Sequence, residues 1–398
     1  MSGPEISFSN TEIAFASKSD RELKDDRMLF NIIGKPWLVR TAPPFVKLAM
    51  VLHLPVKPLI RATIYRHFCG GETIAECNET IKKLFDYKVG SILDYSVEGE
   101  ETEESFDKTA EEILATIKRA KGDAAIPFCV FKPTGIGRMG LLEKASNTKN
   151  LSSAEFDEYK RIFGRFKKIC AFAADSNVRI FIDAEESWIQ NAVDDIAQQM
   201  MMHYNGSHAI VYNTVQLYRH DRLNFLNSVF QHASANNYFL GVKLVRGAYM
   251  EKERERAVRL SYPSPIQPDK PSCDNDFNEA LRFCIHNIHG IALCAGTHNE
   301  YSSLLLAQLM EEKNISSSDQ RIWFSQLLGM SDHISFNLAH AGYNVCKYVP
   351  YGPVDAVLPY LIRRAQENTS IAGQIGRELS MIMQELNRRK KERKIIKQ

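Results

Sequence analysis

The chain has 398 residues, 44% hydrophobic and 25% charged, a globular composition long enough for one large domain with an arm, or for two domains. Fifty Lys and Arg against forty-eight Asp and Glu leave a formal charge of +2, so no whole-molecule field recruits nucleic acid and electrostatic recognition has to be local. The eight cysteines form no CxxC pair and no His/Cys cluster at zinc spacing, which leaves packed thiols in a reducing compartment and no metal site as the economical expectation.

The first thirty residues carry acids and polar groups where a signal peptide needs a basic start and an apolar run, and they are too acidic for a typical transit peptide. A cytoplasmic location is expected, or a form whose presequence is already absent. The most apolar window, VKLAMVLHLPVKPLI, is broken by lysines, a histidine and two prolines, so it is no membrane span. Residues 1–87 read as a helical arm.

From residue 88 a short apolar run recurs, each time followed by a helix-length amphipathic stretch. The runs are VGSILDYS (89–96), AAIPFCVFKPT (124–134), VRIFIDAEE (178–186), AIVYNTVQLY (209–218), FLGVKLVRGAY (239–249), GIALCAGTHN (290–299), RIWFSQLLG (321–329) and NVCKYVPYG (344–352). Between them lie stretches such as EESFDKTAEEILATIKRA, whose apolar residues return every three or four positions. Apolar strands alternating with helices imply parallel pairing, because parallel neighbours need crossover connections and are covered on both faces. Eight such units over residues 88–375 match a distorted (β/α)8 TIM-type barrel, with a doubly wound open sheet as the alternative. Residues 376–398 read as a basic C-terminal helix and tail containing RRKKERKIIK.

In a barrel, chemistry belongs at the C-terminal ends of the strands. The polar residues fall there: Asp94 with Glu98 after strand one, Lys132 after strand two, and Asp183, Glu185 and Glu186 after strand three. Strand four passes Gln216, strand five carries Lys243, Arg246 and Tyr249, strand six ends Thr297, His298, Asn299, and strand eight contains Tyr348. Charges that merely mark where a strand leaves the core explain some of this. They explain poorly a lysine or aspartate at the last inward positions. The GIGRMG of Gly135–Gly140 satisfies GxGxxG, but no strand follows until residue 178, so a flexible rim loop is expected rather than a dinucleotide fingerprint.

Alternation puts Lys243 and Arg246 on opposite faces of strand five, and an inward charge has to meet a partner or a ligand. Gly247 and Ala248 beside them leave room for a bulky anion, such as a cofactor phosphate. His298 reads equally as a ligand contact or a satisfied core histidine. The helix after strand eight contains YLIRRAQEN, Tyr360–Asn368. Arg363 and Arg364 point about 100° apart on a helix, and converge on one anion only where that helix crosses the mouth. With Lys132 opposite, they imply a small carboxylated ligand.

VKLVRGAYMEKERERA (Val242–Ala257), together with YLIRRAQEN, IDAEE (Ile182–Glu186) and QLLGM (Gln326–Met330), resembles the flavin-dependent proline dehydrogenases over about residues 88–375. LVRGAY with the Tyr- and Pro-rich stretch after it is similar to the single-function branch. The resemblance implies FAD as cofactor and oxidation of L-proline to Δ1-pyrroline-5-carboxylate by hydride transfer from C5 to flavin N5. It also implies a quinone as acceptor, hence peripheral contact at the inner membrane surface, for which the basic tail Arg388–Lys397 is a candidate. On it, Arg363, Arg364 and Lys132 clamp the substrate carboxylate; Tyr249, Tyr348, Tyr360 and Leu327 wall the ring; and Asp183 lies near flavin and substrate. Gln216, Lys243, Val245, Arg246, Gly247, Ala248, Thr297, His298, Asn299, Glu367 and Ser370 fall on FAD-binding positions. Asp94 and Glu98 resemble the acidic gate that pairs with the clamp through Arg363, and a bulky Tyr348 resembles enzymes selective for proline over hydroxyproline.

Two departures stand out: the stretch after Lys132 follows no pattern that can be placed, and Lys243 stands where some relatives have arginine, losing the planar fork. A Schiff-base lyase using Lys132 or Lys243 and a non-catalytic carboxylate-binding barrel are the rival readings.

Overall fold

The computed structural model describes residues 6–35, 37, 41, 52, 55–97, 101–148, 150–370 and 374–395, the side chains of 366–370 and 374–375 excepted. Eight parallel strands close into a barrel in sequence order: β1 Val89–Tyr95, β2 Phe128–Phe131, β3 Arg179–Ile182, β4 Val211–Gln216, β5 Leu240–Val245, β6 Ile291–Gly296, β7 Ile322–Leu327 and β8 Val345–Tyr351. The barrel expected from the alternating runs is therefore present, and the open sheet is excluded by the pairing of β8 with β1. That seam is the longest, running from Val89 opposite Val345 to Tyr95 opposite Tyr351. The β1–β2 seam pairs only Ile92 with Phe128 and Leu93 with Cys129.

The helices follow from caps and patterning. Glu103–Ala120 starts from a capping box between Thr102 and Ser105, and Ser153–Ser176 from one between Ser152 and Glu155, ending on left-handed Asn177. Their apolar faces join the outward residues of the strands in one continuous core that includes Ile113, Ile117, Phe166, Ile169, Leu93 and Ile180. Inside the barrel a second core is aromatic. Phe128 stacks on Phe181 at 4.4 Å and meets Trp323 edge-on at 5.3 Å. Tyr348 closes this layer toward the mouth, parallel to Phe181 at 6.4 Å.

The GIGRMG segment is ordered rather than a flexible rim loop. Pro133–Gly135 form a 3-10 turn and the helix Met139–Asn147 starts inside the motif. Gly137 packs so closely on Ile162 that a Cβ would lie 2.7 Å from it. A second helix intervenes before β3, so the segment is still no dinucleotide fingerprint.

Before β1, the helices Thr11–Ala14, Asp20–Ile33, Lys57–Ile60, Arg66–Phe68 and Cys77–Phe85 form the arm, with a π-helical turn at Arg61–Tyr65. Their apolar residues Leu23, Phe30, Ile33, Tyr65 and Phe68 pack in one cluster with Val357, Tyr360, Leu361 and Ala365 after β8, and with Met381 and Ile382 of the last helix, Gln374–Ile395. The arm thus braces the helix Leu358–Ser370, which carries the paired arginines.

Two glycine substitutions test the packing. At Gly241 of β5 an added Cβ would lie 2.3 Å from the Val211 carbonyl, whereas at Gly164, inside a helix, it meets nothing within 4 Å. G241A should lower unfolding free energy by about 3 kcal/mol, while G164A should raise it by about 0.5–1 kcal/mol, read from denaturation midpoints.

Candidate active site

The strand ends converge on the mouth. Lys132 Nζ donates to both Asp94 oxygens at 3.0 and 3.1 Å, and Asp94 accepts a further bond from Ser96 Oγ at 2.6 Å. Burial by itself would raise the Asp94 carboxyl, but Lys132 and Ser96 hold it below its usual range. Burial likewise works against the Lys132 ammonium, yet Asp94 and then Asp183 lift its pKa above the ordinary lysine value. A Schiff-base nucleophile needs the opposite, a lysine made easier to deprotonate, so the lyase reading of Lys132 loses its basis.

Next to this pair, Lys243 donates to Asp183 and, at 2.5 Å, to the Tyr348 hydroxyl. Tyr348 in turn donates to Asp183 at 3.3 Å. Lys243 lies over the rings of Phe181 at 5.2 Å and Tyr348 at 4.8 Å, so its charge sits on the aromatic floor with one carboxylate to answer it. Burial, and then Asp183, push the Tyr348 phenol well above its usual pKa.

Arg246 leaves β5 on the other face, as alternation requires. It donates to Asp274 at 2.7 Å, Thr297 at 2.7 Å and Ser302 at 3.0 Å, over the ring of Phe277. Asn299 caps the helix Glu300–Glu312 by accepting from the Ser302 amide. Val245 is half-buried, and Gly247 and Ala248 beyond it are exposed. Gly247 has φ +133°, and a Cβ there would lie 2.5 Å from the Tyr218 ring, so only glycine fits. Gln216 donates to the Glu185 carbonyl at 3.0 Å, but its Oε1 is buried with no hydrogen-bond partner among the described residues.

The helix Leu358–Ser370 brings Arg364 into the mouth, buried and over the Tyr360 ring at 5.2 Å. His298 bonds Ser331 Oγ at 2.9 Å, and burial, Lys347 and Arg364 push its pKa down to about 3. Tyr249 is pushed well above the usual phenol pKa by burial and by Glu185, against the opposing charge of Arg363. Arg363 and Arg364 thus act on groups from β5 and β6. Leu327 packs against both the barrel interior and the arm cluster. Glu98 lies outside the described residues, as do the side chains of Glu367 and Ser370.

Two features go beyond the sequence reading, which places Glu185 at a strand end without a role and does not single out Lys347. Glu185 is buried, with Thr134 donating from its amide at 3.0 Å and its hydroxyl at 2.6 Å, and burial pushes its pKa up to about 7. The adjacent acids of IDAEE were the available signal. Lys347, fully buried in β8 and paired with Asp332 at 2.8 Å, was signalled by a lysine in the middle of an apolar run. Among the described residues no group of His, Cys, Asp and Glu could hold a metal ion.

The fold and mouth define the class first: a (β/α)8 barrel enzyme. Comparison with known proteins narrows this. The proline dehydrogenase family profile matches residues 77–377. The chain is 36% identical over 322 residues to the carbapenem antibiotics biosynthesis protein CarD of Pectobacterium carotovorum subsp. carotovorum, covering 81% of this chain and 83% of that one. It is 33% identical over 426 residues to the mitochondrial proline dehydrogenase 1 of Dictyostelium discoideum, covering 96% and 74%. The crystal structure of proline utilization A from Bdellovibrio bacteriovorus, inactivated by N-propargylglycine, superposes with a TM-score of 0.70 at 18% identity, over 92% of this chain and 36% of the larger protein. The chain belongs to the proline dehydrogenase family and is an enzyme of proline oxidation.

Glu185 gives a pH test. Its carboxyl stays protonated to about pH 7 when folded and to about 4.5 in the unfolded reference. The folded state binds the extra proton between those values, so stability falls as pH rises through that window. At about 1.4 kcal/mol per pH unit, E185Q should gain on the order of 2–3 kcal/mol relative to the parent between pH 4.5 and 7.5. Parallel stability curves from urea titrations would contradict this.

Proposed function

We propose that the protein oxidises L-proline to Δ1-pyrroline-5-carboxylate with FAD bound at the barrel mouth, and that a quinone takes the electrons onward. The observation that carries the reading is the Lys132–Asp94 pair: an ammonium held at the mouth by a carboxylate that a substrate carboxylate can replace. Arg364, buried over Tyr360, and Arg363 on the same helix supply the remaining cations of the clamp. Gripping the carboxylate fixes the far side of the ring, which converts binding into orientation. Tyr249, Tyr348, Tyr360 and Leu327 wall the ring and exclude water. Asp94, released from Lys132, then closes over Arg363.

The residues present fit FAD. The orphaned Gln216 Oε1 asks for a donor, and the exposed Gly247–Ala248 ledge beside Arg246 admits a bulky phosphate. Gln216, Lys243, Val245, Arg246, Gly247, Ala248, Thr297, His298 and Asn299 would hold it, with Glu367 and Ser370. When bound, FAD supplies the acceptor for the hydride that leaves C5 of proline. Lys243, fixed by Asp183 and Tyr348, places a positive charge where negative charge develops. Burial, Lys347 and Arg364 keep His298 neutral beside them.

Contact with an anionic membrane surface rests on fewer residues than the basic tail promised. Arg388 pairs with Glu385, Glu392 and Glu12, while Arg389 and Arg393 pair with Asp20. The exposed Lys390, Lys391 and Lys394 carry that proposal. Among the described residues no helix is long and apolar enough to cross a membrane.

Purified protein loaded with FAD should bleach at the flavin band on anaerobic addition of L-proline. K132M should keep its flavin and raise KM for L-proline about 30-fold or more, as loss of a charge-assisted contact requires. Protein that takes up no FAD contradicts the reading. Y348S should raise relative activity on 4-hydroxyproline by removing ring bulk at the wall, and an unchanged preference would count against proline selectivity at this position.

A further inference from the structure

The segment that leaves β7, Leu327–Ser331, is held by polar side chains from three directions. Lys347 Nζ donates to the carbonyls of Met330 at 2.7 Å and Leu327 at 3.3 Å. His67 of the arm donates to the Gly329 carbonyl at 2.8 Å, and Glu378 of the last helix accepts from the Ser331 amide at 2.5 Å. The loop needs such support. Gly329 has φ +76° and Ser331 φ +51°, and a left-handed non-glycine residue persists only where its surroundings over-determine it. Gly329 is also pressed onto the arm, where a Cβ would lie 2.5 Å from the His67 carbonyl.

Lys347 is fully buried, so it can stay charged only beside an anion. Asp332 answers it at 2.8 Å, and the same carboxylate takes Lys18 of the arm at 2.8 Å. Lys18 continues to Asp26 at 2.7 Å, and Asp26 to His67 at 2.7 Å, which returns to the loop. Burial would push the Asp332 carboxyl up, yet Lys18 and Lys347 hold it far below the usual carboxylate range. This chain of ion pairs and hydrogen bonds therefore opens and closes on the segment that carries Leu327 and that bonds His298 through Ser331.

We propose that Lys347 is a positioning residue for proline binding: by holding the Leu327 and Met330 carbonyls it sets the substrate wall, and Lys18 ties that setting to the arm through Asp332. This rests on the placement of Leu327 in the substrate wall. Lys347 itself touches neither ligand; it acts through the loop.

The test compares K347M, K18M, K18R and L327A in the FAD-loaded protein, reading KM and kcat for L-proline, bound flavin by absorbance, and Tm. K347M should raise KM about tenfold with kcat within threefold and flavin retained. K18M should raise KM about threefold, and K18R should restore it. Because K18M leaves Asp332 with Lys347 and Asp26 with His67, it decides the matter where K347M fails to fold. A fall in Tm with KM unchanged in K347M and K18M, while L327A raises KM, overturns the proposal and leaves the site reading standing. An L327A protein with unchanged KM overturns the placement of Leu327, and the proposal with it.

Discussion

A cation carried into the mouth of a closed barrel has lost much of its water, and an anion has to replace that water. This constraint organises the whole C-terminal face. Lys132 takes Asp94 and Lys243 takes Asp183, while Arg246 takes Asp274 and Lys347 takes Asp332. The partnerships differ in what can replace them. Asp94 faces Lys132 from a neighbouring strand end with a serine for company, and on the proposed function a substrate carboxylate takes its place on Lys132. Asp183 is held by both Lys243 and Tyr348.

The same constraint ties the arm to the C-terminal face of the barrel. Its apolar cluster supports the helix of the paired arginines from behind. Its charges reach the loop beyond β7 through Asp332. The last helix returns to the arm through Thr11, which donates to Glu385, and through Arg389, which donates to the Phe15 and Lys18 carbonyls. The arm, the helix of the paired arginines and the loop beyond β7 pack as one assembly, although they lie far apart in the chain.

Much of this was legible in the sequence, and the exceptions have physical reasons. The eight strands could be read because each is buried on both faces and so appears as an apolar run between helical stretches. At the strand ends the structure brings together residues that the sequence marks singly: Lys243 meets Asp183 and Tyr348, and Arg246 meets Thr297. Pairings set by three-dimensional proximity were not legible. Asp94 resembles a gate that pairs with Arg363 on closure, and in this structure it is bonded to Lys132. Glu185 looks like any strand-end acid until burial and Thr134 are seen around it. In the sequence the tail arginines are a candidate for lipid contact, since Asp20, which engages Arg389 and Arg393, lies far away in the chain.

The exchange of Asp94 for a substrate carboxylate is the centre of the account. Its most direct test is a crystal structure of the FAD-loaded protein with a non-oxidisable five-membered-ring carboxylate. The account predicts Lys132, Arg363 and Arg364 around one carboxylate at about 2.7–3.0 Å, with Asp94 displaced from Lys132. A ligand carboxylate bound elsewhere, with the Lys132–Asp94 pair intact, would contradict it.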